Sequence, residues 1–154
     1  MSDVQELARL AQECGLSIAT AESLTSGLLA GRVGEGSAAG DWFAGGVVAY
    51  RTEVKERVLG VTRGIDPCSP ECAEQLAVGV RGLMDADIAV STTGVGGPDP
   101  QDGHPPGTVF LGWATREDTG HVALSLSGEP DEVLTATVEA AVSLLRERID
   151  EFAC

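Results

Sequence analysis

Lysine is nearly missing from this sequence of 154 residues: Lys55 is the only one, and the other nine bases are arginines. Positive charge as a whole is scarce, with 10 bases against 24 acids and a formal net charge of −14. A field of that sign repels the phosphates of nucleic acids and of anionic lipid, so neither nucleic acid nor membrane is expected as a partner. The plain reading of the acidity itself is solubility. Long apolar runs are absent too. Those at 43–50 and 88–90 fall far short of the about 20 residues that a membrane span needs. The opening Met1-Ser2-Asp3-Val4-Gln5-Glu6 carries acids and no basic segment, which argues against a signal peptide and for a cytoplasmic chain. The four cysteines stand at 14, 68, 72 and 154, and only Cys68 and Cys72 are closely spaced. No second pair and no suitably spaced histidine completes a zinc site, since His104 and His121 lie in different segments. No metal and no cofactor are expected. Four free thiols are expected in a cytosolic chain, with a small Cys68–Cys72 loop as the alternative.

What is present suits one domain with a single core: apolar residues make up 43% of the chain. Apolar residues at 4, 7, 8, 10 and 11 predict a first helix, stopped by Gly15. A short strand is expected over 16–21, then a helix over 24–33 ending at Gly34, and a loop over 36–40. A buried strand is expected over 42–50, broken at Gly45-Gly46, followed by a helix over 52–59. After a loop around Pro67, Ser69 and Pro70 read as N-cap and first turn of a helix reaching Met84. A strand over 87–93, a Gly/Pro-rich loop over 94–106, two strands at 108–115 and 121–127, and a helix from Glu129 to about Phe152 complete the chain. This order predicts an α/β fold: a single three-layer α/β/α domain with a mixed sheet, covering residues 1–154.

Three segments carry candidate chemistry. Thr20-Ala21-Glu22-Ser23-Leu24-Thr25-Ser26-Gly27 lies where a strand hands over to a helix. A serine hydroxyl there sits beside backbone N–H groups that can stabilise an oxyanion; alternatively, Ser23 or Thr25 is an N-cap and nothing more. Lys55 stands out in a chain that otherwise uses arginine. A buried lysine can be tuned toward neutrality and accept a proton, which arginine cannot. Together, serine and lysine form one known way to activate a nucleophile. Tyr50, the only tyrosine, precedes Lys55 by five residues and can relay a proton, hold the lysine, or merely end the strand. The third segment, Ser91 to Asp99, ends a strand in a glycine-rich loop that lets a ligand approach the backbone. It has neither the dinucleotide fingerprint nor the P-loop pattern.

In this order the segments resemble the C-terminal domain family of CinA, the nicotinamide mononucleotide deamidases. Thr20–Gly27 is similar to that family's T-A-E-S-x-T-G-G. Gly46–Val61 is similar to its stretch with tyrosine followed by lysine, Thr93–Asp99 to T-G-I-A-G-P-D, and Pro105–Val109 to P-V-G-T-V. The resemblance runs from about residue 5 to about residue 150. It implies a metal-independent amidohydrolase that converts nicotinamide mononucleotide to nicotinic acid mononucleotide and ammonia. By matching position, Ser23 is the implied nucleophile, Lys55 the base and Tyr50 an assistant. The implied substrate-binding residues are Glu22, Thr25, Ser26, Gly27 and Gly46, with Thr93, Gly94, Gly96, Gly97, Pro98 and Asp99 from the later segment. The partner implied is a small carboxamide, a pyridine nucleotide, and a homo-oligomer is expected, with a site that can draw on a neighbouring subunit. Longer family members carry another domain before this one, and the chain is expected to lack it.

The departures matter as much. The family's T-G-G is Thr25-Ser26-Gly27 here, and its Y-S-N is Tyr50-Arg51-Thr52. Its G-D-R-x-x-V-R appears as Gly128 to Leu134, so Pro130 and Leu134 replace two arginines that suit a phosphate. Arg51 is the cation best placed to compensate. The implied chemistry is intact and the phosphate grip is not. This leaves open an amidase for a less anionic carboxamide, and a paralogue that binds without catalysis.

Overall fold

The computed structural model describes residues 3–152 and residue 154; Met1, Ser2 and Ala153 lie outside the described residues. The elements run α1 (Asp3–Cys14), β1 (Ile18–Glu22), α2 (Leu28–Val33), α3 (Ala39–Trp42), β2 (Phe43–Val48), α4 (Thr52–Leu59) and α5 (Pro70–Met84). Then follow β3 (Ile88–Gly94), β4 (Thr108–Thr115), β5 (Thr119–Ser125) and α6 (Pro130–Asp150). The sheet order is β2-β1-β3-β4-β5. β1 pairs in parallel with β2 and β3, while β4 and β5 extend the sheet antiparallel. This is the expected α/β domain with a mixed sheet.

Alternation along the central strands sorts the core into two layers. Ile18, Ile88 and Val90 face one side and pack with Leu7, Leu29, Val142, Leu145 and Ile149 of α1, α2 and α6. Ala19, Ala21 and Ala89 face the other and pack with Leu59 of α4 and with Cys72, Leu76 and Val80 of α5. Small residues on that second face let α5 come close. The Ser91 hydroxyl donates to the Ala73 carbonyl at 2.5 Å, and a Cβ added at Gly112 would lie 2.0 Å from that same oxygen.

Four expectations change. The second helix begins at Leu28 rather than 24, because Ser26 and Gly27 take left-handed backbone angles (φ 41° and 107°) that no helix accommodates. Residues 39–42, from the end of the expected 36–40 loop to the start of the strand expected over 42–50, form the short α3, so Trp42 is helical. β2 is continuous through Gly45-Gly46: Ile18 pairs with Phe43 and Ala19 with Gly45, which leaves Ala44 as a bulge. As the edge strand it is half-exposed rather than buried. Finally, Cys14 and Cys154 are joined in a disulfide with Cα atoms 5.3 Å apart, while Cys68 and Cys72 are free and buried. α1 packs beside the end of α6, with Arg146 on Asp3 at 3.0 Å, and this brings together two cysteines separated by 140 positions.

Candidate functional site

The three parallel strands end on one side of the sheet, and there the chain changes direction. It leaves β1 for β2 on one flank, then crosses to β3 on the other. Crevices at such points are where open α/β sheets hold ligands. Ser23 follows β1 directly, and its N–H donates to the Thr92 carbonyl at 3.0 Å, so pairing with β3 extends one residue past the strand. The serine is therefore fixed at its backbone and 9% exposed.

Glu22, immediately before it, is a buried carboxylate with a full set of donors. It accepts from the Thr25 hydroxyl (2.6 Å) and from the amides of Gly27 (3.1 Å), Leu29 (2.8 Å) and Ala30 (3.0 Å). Thr25 also shares a 2.8 Å hydrogen bond with the Thr92 hydroxyl. These bonds use the first amides of α2, so that helix's positive end is engaged by Glu22, not by Ser23. The sequence suggested the reverse. Glu22 and Thr25 lie behind the serine as the brace of its turn.

A cavity of about 380 Å³ opens beside Ser23, a size suited to a small molecule. Its lining brings Ser23 and Ser26 together with Tyr50 and Lys55, and with Thr93, Gly94, Gly96, Gly97 and Asp99 across the crevice. Gly27, Gly46 and Pro98 are not part of that lining. Gly46 instead passes Thr20 so closely that a Cβ there would lie 2.2 Å from its hydroxyl. Thr93 turns its hydroxyl to the Pro67 carbonyl at 2.5 Å, holding the 61–69 loop as a wall. That loop adds Pro67 and Cys68, and α6 adds Pro130 and Leu134. Gln101 and Asp102 line the mouth. The loop residues carried no chemical signal beyond the cysteine spacing. Pro130 and Leu134 were legible only through the resemblance.

Lys55 is 2% exposed, although its charge would favour water. Its amine donates to the Tyr50 carbonyl at 3.1 Å. Burial pushes the amine below the ordinary lysine range, partly offset by the nearby Cys72 thiol. Tyr50 is 64% exposed and meets the lysine through its backbone carbonyl. Among the described residues no hydrogen bond joins Ser23 to Lys55 directly; both face the same cavity. Burial raises the Cys68 thiol to about 11, with the charges of Asp66 and other neighbours adding to it, so it is held protonated at neutral pH. His104 bonds Asp66 at 2.8 Å and ties the 94–106 loop to the 61–69 loop. Among the described residues, no helix is long and apolar enough to cross a membrane.

The CinA C-terminal domain family matches residues 2–149 of this chain. A competence-damage inducible protein of Bacillus velezensis is 49% identical over 113 residues, covering 71% of this chain and 27% of its own length. That of Geobacillus kaustophilus is 43% identical over 143 residues, covering 90% and 34%. The chain thus spans about a third or less of these curated relatives. A crystal structure of a CinA superfamily protein from Klebsiella pneumoniae superposes with a TM-score of 0.92 at 28% identity, covering 97% of this chain and 96% of that one. The competence/damage inducible protein of Agrobacterium tumefaciens superposes with a TM-score of 0.87 at 30% identity, covering 97% of each. This chain belongs to the CinA C-terminal domain family.

Proposed function

We propose that the protein is a metal-independent amidohydrolase in which Ser23 attacks a carboxamide and Lys55 moves the protons. The observation that carries this reading is a buried lysine, depressed toward neutrality, facing the same cavity as a serine fixed at a strand end. The neutral Lys55 amine accepts the Ser23 proton as Oγ bonds to the carboxamide carbon. The carbon–nitrogen bond then breaks, and the Lys55 ammonium returns the proton to the leaving nitrogen, which departs as ammonia. Water, deprotonated by Lys55, attacks the acyl-serine; the bond to Oγ breaks, the serine regains its proton and a carboxylate leaves. The amides of Leu24, Gly96 and Gly97 have no hydrogen-bond partner among the described residues and belong to lining residues. They are the donors available to a developing oxyanion.

Nicotinamide mononucleotide, the substrate implied by the resemblance, is the first amide to test. A second reading, an amidase for a less anionic carboxamide, is favoured by Pro130 and Leu134 in the cavity wall. The test is ammonia release from nicotinamide mononucleotide, nicotinamide and related amides by wild type and Lys55→Arg. Release by wild type that is lost in Lys55→Arg supports the reading. No release from any carboxamide overturns it in favour of a non-catalytic binder, and a fully active Lys55→Arg removes the lysine as base.

A further inference from the structure

The charges that face the cavity are few, and their balance runs against an anionic ligand. Among the described residues, Lys55 is the only cationic side chain in the lining. The proposed mechanism needs it neutral, so it supplies no lasting positive charge for a phosphate. Asp99 and Asp102, both exposed at the mouth, supply two negative ones. Arg51, beside the site in sequence, is outside the lining and pairs with Glu53 at 2.6 Å, its side chain 78% exposed.

Apart from the Leu24, Gly96 and Gly97 amides, which the proposed mechanism assigns to the oxyanion, the feature beside the cavity that could hold a phosphate is the start of α6, which reaches it through Pro130 and Leu134. A helix start attracts anions through its free amides. Here proline removes the amide at the first position. The Glu129 carboxylate takes the Glu132 amide, and the Glu132 carboxylate takes the Glu129 amide at 2.9 Å. Asp131 adds a third carboxylate to that turn. The helix end is therefore already occupied by the chain's own anions, and a net charge of −14 adds a field of the same sign.

From this balance we infer that the cavity takes a carboxamide whose remainder is uncharged or cationic, and that a phosphomonoester on it is selected against. The inference rests on the amidohydrolase reading and deepens it by naming the substrate class. A cationic remainder lies between the Asp99 and Asp102 carboxylates, while Pro130 and Leu134 meet its apolar part.

Three amides that share one reacting group separate the possibilities: nicotinamide, uncharged; nicotinamide riboside, cationic; and nicotinamide mononucleotide, which adds the phosphate. The expected result is a kcat/KM for the riboside at least about tenfold above that for the mononucleotide, the scale of one lost charge-assisted contact. An equal or higher value for the mononucleotide overturns the inference and leaves the amidohydrolase reading standing. Absence of ammonia from all three and from the wider set of carboxamides overturns that reading instead. Equilibrium binding to Ser23→Ala then decides the charge preference without turnover: tighter riboside binding upholds it, and tighter mononucleotide binding overturns it. Leu134→Arg should shift the preference toward the mononucleotide by about tenfold. An unchanged ratio would remove that wall as the place where a phosphate is refused.

Discussion

Lys55 sits where a lysine is costly unless its neutral form is wanted. A group whose folded value is depressed by burial loses its proton earlier than in the unfolded chain, so the base becomes competent below the ordinary lysine range. kcat/KM should therefore rise with pH through one ionisation below 10.5, and Lys55→Arg should lose about 10²–10⁴-fold with no such limb. A flat profile in wild type would remove Lys55 from the rate-determining protonation. Glu22 makes a separate case. Glu22→Gln replaces one of two carboxylate oxygens with a donor that faces the Ala30 or Leu29 amide. Losing one charge-assisted bond should cost about 1.5–3 kcal/mol, read as a lower denaturant midpoint, with activity falling as the Ser23 turn loosens. Unchanged stability would mean the turn is held by Thr25 and Thr92 alone. Ser23 and Lys55 were legible as residues: one at a strand-to-helix junction, the other alone among arginines. The role of Glu22 was not. A carboxylate that braces amides five to eight positions ahead looks, in sequence, like one more acid.

Among the elements, strands and long helices followed from periodicity, while short irregular pieces did not. The Ser69 cap was readable, and its hydroxyl does accept from the Cys72 amide at 3.1 Å. The 24–27 turn was not, because apolar Leu24 continues a helical pattern that Ser26 and Gly27 interrupt only through their backbone angles. The closeness of α5 to the sheet was also hidden, since it depends on a glycine meeting a carbonyl 39 positions away. Gly112→Ala should strain that contact, since its Cβ would lie 2.0 Å from the Ala73 carbonyl oxygen. The expected loss is about 1–3 kcal/mol in denaturant unfolding. An unchanged midpoint would show that α5 can move back without cost. Because α5 starts just after Cys68, such a shift should also disturb the cavity wall.

At the scale of the molecule, the fold gathers residues 23, 55, 93 and 134 at one end of the sheet, and the sequence alone does not place them together. The order of motifs suggested a common site; the reversal of strand order at β1, where the chain adds β2 on one flank and β3 on the other, supplies its physical cause. The Cys14–Cys154 pairing belongs to this scale too, since only the packing of α1 beside α6 reveals it. The same convergence puts a second potential nucleophile, Cys68, into the cavity opposite Ser23. Burial holds that thiol protonated, with a value of about 11, and so disfavours it as the attacking group. The most direct measurement is the rate of ammonia release from the best amide by Ser23→Ala and Cys68→Ala, each compared with wild type. A loss of about 10³-fold or more in Ser23→Ala, with Cys68→Ala within about tenfold, is the expected result. An active Ser23→Ala beside an inactive, folded Cys68→Ala would contradict the central claim.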